Sequence, residues 1–395
     1  MRKGFARLAF VVVVVVQLAG CGGKARPGMW PLPAGDLAGT RAAAGSSLNA
    51  RNVRRLRARW RFAFRSPRTA SGIFESTPVV DANTVYVEDL RSNVFALDRE
   101  TGKLEWAHHY RAQGNGPNGL AVDGGRVYGV TNDDVFALAA LNGRELWRRR
   151  LGRAYAPVPW KNLLVVGTRG ATYALDAATG KVRWRFDGGG ARYPVSIDAD
   201  GRLYLGTATS LVVLDAATGR QLAEDRRGGV QATPVLAGGS VFGAGMGARV
   251  VAWQTGTQRR LWKRAVCSVS GRIETPPAYA DGRLFLPVAG MCAHDPARGR
   301  LVALAAATGR VAWQHRLGAP ALGCAAVAND VVFTSSSDGT VDGFDARSGA
   351  LLWRARLPAG VDACPAVAGD TLYVGAGVAL RPHERATLVA FSVPR

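Results

Sequence analysis

One pattern recurs along the chain and limits its fold more than any other feature. Residues 95–106 read FALDRETGKLEW and residues 173–184 read YALDAATGKVRW. Related copies end at Trp147, Trp262, Trp313 and Trp353, and one, at 213–223, ends in Ala223 where Trp is expected. Trp60 marks an eighth position without the upstream half. A period of about 40 residues belongs to repeat architectures, in which no unit buries its apolar face alone. Each copy reads as an alternating apolar strand ending in Asp, a Thr-Gly turn and a return strand. The stretches between copies, such as 78–87 (PVVDANTVYV), read as a second hairpin. Four antiparallel strands per repeat make a propeller blade.

Counting return strands gives seven complete blades. The segment around Trp60 lacks partners, and the segment from Cys364 to Val393 holds three strands without a return strand. Joined, they remove two exposed edges and complete an eighth blade. The expected fold is all-β: an eight-bladed propeller of four-stranded antiparallel blades, its ring closed by N- and C-terminal strands. The Trp residues at 60, 106, 147, 184, 262, 313 and 353 are assigned packing roles between blades.

Ahead of the repeats stand Met1, Arg2 and Lys3, an apolar run from Leu8 to Ala19, and Leu18-Ala19-Gly20-Cys21. A basic start followed by a short apolar run is an export signal, and the run is too short for a stable spanning helix. The residues before Cys21 resemble the lipobox of bacterial lipoproteins, which implies lipidation of Cys21 and a stable hold on a membrane through more than one acyl chain. The expected organisation is therefore a signal peptide at 1–20, an anchor and linker segment at 21–50, and the propeller at 51–395. That places the chain extracytoplasmic, on the periplasmic or cell-surface side.

Lys and Arg number 51 against 29 Asp and Glu, a formal net charge of +22. The arginines cluster at 54–61, 148–150, 226–227 and 259–260. Most abut return strands, so a basic rim is expected, suited to close contact with anionic headgroups within a screening length of about 8 Å. Export argues against a nucleic-acid partner.

With the repeats in view, the chain resembles the quinoprotein-type eight-bladed propellers: the pyrroloquinoline quinone (PQQ) dehydrogenases and their cofactor-free relatives. The Asp-x-x-Thr-Gly-x-x-x-Trp repeat carries the resemblance, with the lead-in at 48–60 (LNARNVRRLRARW), residues 75–78 (ESTP), Asn329 to Phe333, and Ser337 to Gly339. It implies that Glu75 approaches a quinone if one binds. It also implies a Ca²⁺ held by several hard oxygen ligands. The other parts depart from the family pattern. Where a Glu-bearing loop belongs, residues 166–170 read VGTRG; a Gly-Asn turn is replaced by GTAT at 206–209. The Asp-bearing segment is shortened to EDRRG at 224–228, Met246 stands in place of a cation, and GPNG at 116–119 stands where a vicinal cysteine pair is expected. These departures favour no catalytic residues, no metal and no cofactor, with PQQ and calcium as the alternative. Similar eight-bladed lipoproteins serve as scaffold subunits of the outer-membrane β-barrel assembly machinery.

Four cysteines remain after Cys21. In an exported chain an even count suggests two disulfides. Cys324 and Cys364 stand at equivalent points of adjacent repeats, and Cys267 and Cys292 fall on connections that emerge on one face. Cys267–Cys292 and Cys324–Cys364 are expected. His108 and His109 point opposite ways along a strand and read as surface residues; 198–201 reads as a hairpin turn at the outer end of a blade. No nucleophile-elbow, phosphate-loop or zinc-protease pattern occurs. The leading expectation is a non-catalytic, membrane-anchored platform for an extracytoplasmic protein or peptide. The alternatives are a reduced PQQ-dependent alcohol or sugar dehydrogenase, a scaffold for outer-membrane protein assembly, and a sensor or wall-associated binder using the basic rim.

Overall fold

The computed structural model describes residues 27–63, 74, 76–112, 119–227, 229–245, 249–267, 273, 275–289, 298–378 and 386–394. Cys21, Glu75, Met246, Cys292 and the export segment lie outside the described residues. The strands form eight four-stranded antiparallel sheets. Blade 1 runs outward from Val79–Val80 through Thr84–Glu88 and Val94–Asp98 to Leu104–His108. Blades 2 to 7 begin at Ala121–Asp123, Val158–Trp160, Ser196–Ile197, Val235–Ala237, Ala278–Ala280 and Ala326–Ala328. Blade 8 takes Ala366–Ala368, Thr371–Ala376 and Thr387–Ser392 from the C-terminus, and its outermost strand, Arg57–Phe62, from the N-terminal side. The ring closes as the strand count requires. Among the described residues the one helical element is a 3₁₀ turn, Val53–Arg55.

The apolar runs differ in one respect from their sequence reading. Val94, Phe95, Ala96 and Leu97 are all buried, with no alternation. Neighbouring blades cover both faces of these middle strands, so both side-chain sets must be apolar. Alternation survives in the outermost strands, as in Val182–Phe186, where Trp184 is buried between exposed neighbours.

The Asp-x-x-Thr-Gly turn has a local cause. Asp98 Oδ1 accepts from the Thr101 N–H (2.7 Å) and hydroxyl (2.6 Å), and Asp176 and Asp215 do the same with Thr179 and Thr218. The glycine that follows takes positive φ, +74° at Gly219. Its missing Cβ also matters, because a Cβ there would lie 2.7 Å from the Trp184 ring of the preceding blade. The same contact recurs between Gly102 and Trp60, Gly143 and Trp106, Gly180 and Trp147, Gly309 and Trp262, and Gly349 and Trp313. Each indole also donates Nε1–H across the interface. Trp106 reaches the Ala140 carbonyl at 2.9 Å, Trp184 that of Ala216 at 3.0 Å, and Trp353 that of Leu56 at 3.2 Å.

The two faces of the ring are built differently. On one, turns between first and second strands bond turns between third and fourth, as Ala216 N–H to Gly201 O and Ala306 N–H to Gly282 O. On the other, the connections between blades bond turns between second and third strands, as Val230 N–H to Thr207 O and Leu317 N–H to Gly299 O. These are called the hairpin face and the connector face below. The turn at 198–201 lies on the hairpin face beside the axis, joining blade 4's innermost strand to the second, and not at the outer end of a blade.

Residues 27–48 are not a free linker. They run around the inside of the ring on its hairpin face. Trp30 exchanges both backbone hydrogen bonds with Val80 of blade 1 at 2.8 Å. The carbonyls of Pro31, Leu37, Ala38, Thr40 and Arg41 accept from Val122, Ile197, Leu236, Tyr279 and Val327 of blades 2, 4, 5, 6 and 7. Ser47 N–H reaches Gly369 of blade 8. This plug ties together six inner strands and the first turn of blade 8, and buried Trp30 and Leu48 join the largest core cluster.

Candidate functional site

Among the described residues, the connector face carries Cys324, Cys364, Cys267 and the segments at 166–170, 206–209 and 224–227. Cys324 and Cys364 open the innermost strands of blades 7 and 8 and are joined by a disulfide with Cα atoms 4.5 Å apart. The Cys324 N–H also donates to Cys364 Sγ. Cys267 follows the outermost strand of blade 5 and is disulfide-bonded; Cys292 lies outside the described residues. A bridge between inner-strand starts ties blades 7 and 8 together and stabilises the fold, since it removes freedom mainly from the unfolded chain.

Three segments that the family resemblance singles out, at 166–170, 206–209 and 224–228, have described residues bonded among themselves or to neighbouring side chains. In blade 3, Thr168 N–H donates to the Ala171 carbonyl (2.8 Å) and Ala171 N–H to Thr168 Oγ1 (3.2 Å), which leaves a tight turn. In blade 4, Thr207 and Ser210 repeat that closure. Glu224 pairs with exposed Arg226 at 3.0 Å. Asp225 is buried, and its carboxylate is consumed: Oδ1 takes Arg227 Nε at 2.9 Å, and Oδ2 takes the Trp253 indole at 2.7 Å and Arg260 at 3.4 Å. Burial pushes Asp225 up, but the Arg227 and Trp253 hydrogen bonds outweigh it and hold the carboxyl at about 2. Among the described residues no three His, Cys, Asp or Glu side chains gather to hold a metal. Among the described residues, these side chains do not by themselves supply the several converging oxygens that Ca²⁺ takes; Glu75 lies outside them.

Blade 1 holds an acid that sequence reasoning missed. Glu88 ends the second strand, is 1% exposed, and neither carboxylate oxygen has a hydrogen-bond partner. Burial raises its pKa well above the ordinary value and the charge of Asp89 adds to this; only Ser92 pulls the other way. Its signal in the sequence was faint, a Glu closing an otherwise apolar strand. His108 is half-buried and not a surface residue: Nδ1 lies 3.0 Å from the Gly143 carbonyl, and the ring packs 4.6 Å from Tyr110. His109 is exposed and lies edge-on to Phe95, so the two imidazoles diverge.

The outermost strands carry the arginines. Arg148, Arg150 and Arg226 are about half or more exposed, whereas Arg260 is drawn inward by Asp225. Near the connector face a groove of about 410 Å³ is lined by Gly318, Asp338, Thr340, Arg354, Ala355 and Arg356. Arg354 pairs with buried Asp342 by two bonds of 2.6 and 3.0 Å, and Arg354 and Arg356 are both exposed.

Residues 44–154, 131–229, 207–291 and 297–393 match the PQQ_2 family, described as outer membrane protein assembly factor BamB. The chain belongs to this family. The chain is also similar in sequence to enzymes. The quinohemoprotein alcohol dehydrogenase of Comamonas testosteroni is 32% identical over 187 residues, 41% of this chain and 26% of that protein. The lanthanide-dependent methanol dehydrogenase of Methylacidiphilum fumariolicum (strain SolV) is 28% identical over 203 residues, 44% of this chain and 32% of that protein. The matches thus span about a quarter to a third of these relatives' lengths. Among solved structures, the Comamonas testosteroni enzyme superposes with a TM-score of 0.79 at 19% identity, covering 93% of this chain and 80% of that one. BamB from Moraxella catarrhalis superposes at 0.68 and 16% identity, covering 85% and 97%. At such identities these likenesses establish the PQQ_2 propeller fold alone.

Proposed function

We propose that this PQQ_2 propeller is a non-catalytic, extracytoplasmic platform whose connector face binds a protein or peptide strand. The observation that carries the reading is the closure of the segments that the family resemblance singles out. The turns at 168–171 and 207–210 bond to themselves, and Asp225 is spent on Trp253, Arg227 and Arg260. A rigid face of short loops around an axis suits recognition of an extended partner. The family's description as an outer-membrane protein assembly factor supports a scaffold of that kind.

Lipidated Cys21 anchors this platform. Cys21 lies six residues before Pro27, at which the plug begins on the hairpin face. Fully extended, that span is at most about 20 Å. The anchor therefore turns the hairpin face to the membrane and the connector face away from it. Among the described residues no helix is long and apolar enough to cross a membrane.

The test is site-specific photocrosslinking in cells. A photoreactive residue replacing Thr340 in the connector-face groove is expected to capture a discrete protein band, and one at Gly125 in a hairpin turn is not. Equal capture at both, or none at Thr340, removes the platform reading. The similarity to quinone-dependent alcohol dehydrogenases supports the second reading, a reduced PQQ enzyme that uses Glu75. Calorimetric titration of PQQ with Ca²⁺ decides it: saturable micromolar binding overturns the non-catalytic proposal.

A further inference from the structure

The inside of the ring holds a group of buried donors with nothing to receive them. Arg41 belongs to the plug and is 3% exposed. Its backbone is fixed at both ends, N–H to the Ala34 carbonyl at 3.1 Å and carbonyl to the Val327 N–H at 2.8 Å, with φ at +53°. Its Nε and Nη1 have no hydrogen-bond partner. Trp30, buried in the same plug, has an equally unpaired Nε1–H. The plug folds back so that the two come from adjacent points. The indole edge at Cε2 and Cζ2 lies against Gly35, 3.2–3.3 Å from where a Cβ would stand, and Ala34, the preceding residue, accepts the Arg41 N–H.

One further unpaired group flanks the same stretch, Thr233 Oγ1. The Thr233 methyl would lie 3.2 Å from a Cβ on Gly39. The acid whose charge reaches Arg41 is Asp36, but its oxygens already accept the Thr40 N–H (2.9 Å) and hydroxyl (2.5 Å). Burial also raises the Asp36 pKa, which weakens it as a counter-charge. Burial lowers the Arg41 pKa to about 9, against the pull of Asp36, so the guanidinium stays charged at neutral pH.

Guanidinium and indole offer donors and no acceptor. A buried charge left without a hydrogen-bonding partner is strongly unfavourable, so such a set calls for an acceptor that carries negative charge. We propose that the plug binds a small oxyanion, a carboxylate or phosphate group, inside the ring against Arg41 and the Trp30 indole N–H. This site is separate from the connector face, and the platform reading does not depend on it.

Thermal unfolding of the full-length chain, dialysed into chloride, tests the proposal. Inorganic phosphate and acetate are added separately at fixed ionic strength. One of them is expected to raise the midpoint saturably, by roughly 3 °C or more at a hundredfold excess over Kd. Which one does so identifies the oxyanion. Arg41→Met, which keeps the stem and removes the charge, is expected to lose the response and to unfold no earlier than the anion-free parent. No response in the parent, or the same response in Arg41→Met, overturns the site; the second result assigns the anion to the basic surface. If Arg41→Met does not fold, the Trp30 indole N–H resonance, assigned with Trp30→Phe, decides. It is expected to move saturably with the anion, and an unmoved resonance overturns the proposal.

Discussion

The interface between blades 3 and 4 and the one between blades 4 and 5 meet the same packing demand from opposite sides. In the first, Trp184 of blade 3 lies over Gly219 of blade 4 and donates to the Ala216 carbonyl. In the second, Ala223 occupies the Trp register position, opposite Val213, and cannot reach across. The indole comes instead from blade 5: Trp253, fully buried in the third strand, donates backward to Asp225 of blade 4. The position that would lie beneath a Trp is not a glycine here but Gln258, whose N–H bonds the Gln254 carbonyl as that of Gly219 bonds Asp215, with φ at +51°; nearby Gly256 has nothing nearer to a Cβ position than Arg202 Nη1 at 3.9 Å. What recurs in this ring is a buried indole donor with an acceptor across each of these two interfaces. Exchanging a neutral carbonyl for a carboxylate makes one interface sensitive to acid.

The largest effect is expected where the substitute indole is removed. Trp253→Ala should cost about 3–5 kcal/mol of unfolding free energy in urea, since it opens a cavity and strips a hydrogen bond from a buried carboxylate. Trp184→Ala should fall at the low end of that range, because only a neutral carbonyl loses its partner. Equal losses would mean that the Asp225 contact adds nothing. The next effect separates backbone strain from contact. Both Gly219 and Gly256 take positive φ, +74° and +79°. Gly256→Ala should cost about 1 kcal/mol from conformation alone. Gly219→Ala should cost roughly 3 kcal/mol, because its methyl also meets the Trp184 ring. Similar values at the two sites would remove the indole-on-glycine contact from the account.

Asp225→Asn sharpens the comparison at smaller size. Charge-assisted bonds to Arg227 and Trp253 lower the folded-state pKa of Asp225 to about 2, despite burial. A depressed folded pKa gives stability that is complete above the unfolded value near 4 and is lost as pH falls through about 2. The Asn variant should be less stable by about 2 kcal/mol at neutral pH and should lose less on acidification between pH 4 and 2. Parallel acid profiles for parent and variant would show that Asp225 is not the source.

The fold was legible because the repeat prescribes it. The Asp-x-x-Thr-Gly turn fixes the third and fourth strands, and the seven Trp positions, with Ala223, give the register of eight blades. The plug was not legible. Residues 27–48 carry no repeat and bond to seven separate blades, a pattern no local rule encodes. A large aromatic, Trp30, in a stretch expected as linker was the one hint. Asp225 stood in a segment that read as the remnant of a ligand loop. Its true role depends on Trp253, 28 residues away, and on the missing Trp at 223. Separations of that kind become contacts only once the ring is closed.

The smallest predicted effect has the opposite sign in pH. Glu88 faces the interior at the end of its strand with both oxygens unpaired, and burial, reinforced by Asp89, keeps its proton on well above the ordinary carboxylate range. A raised folded pKa for an acid means that the folded state holds a proton the unfolded chain releases. Stability is therefore undiminished below the unfolded value near 4.5 and falls as pH climbs from there toward the folded value. Glu88→Gln keeps the shape and removes the titration. It should match the parent near pH 4 and exceed it by about 1 kcal/mol at pH 7, read from urea midpoints with unchanged slopes. Asp225→Asn flattens the acid limb of the stability profile, and Glu88→Gln flattens its neutral limb. The double variant should do both additively, because the two residues sit in different blades. A neutral limb that still falls in Glu88→Gln would place the titrating group elsewhere and leave Glu88 as a passive buried acid.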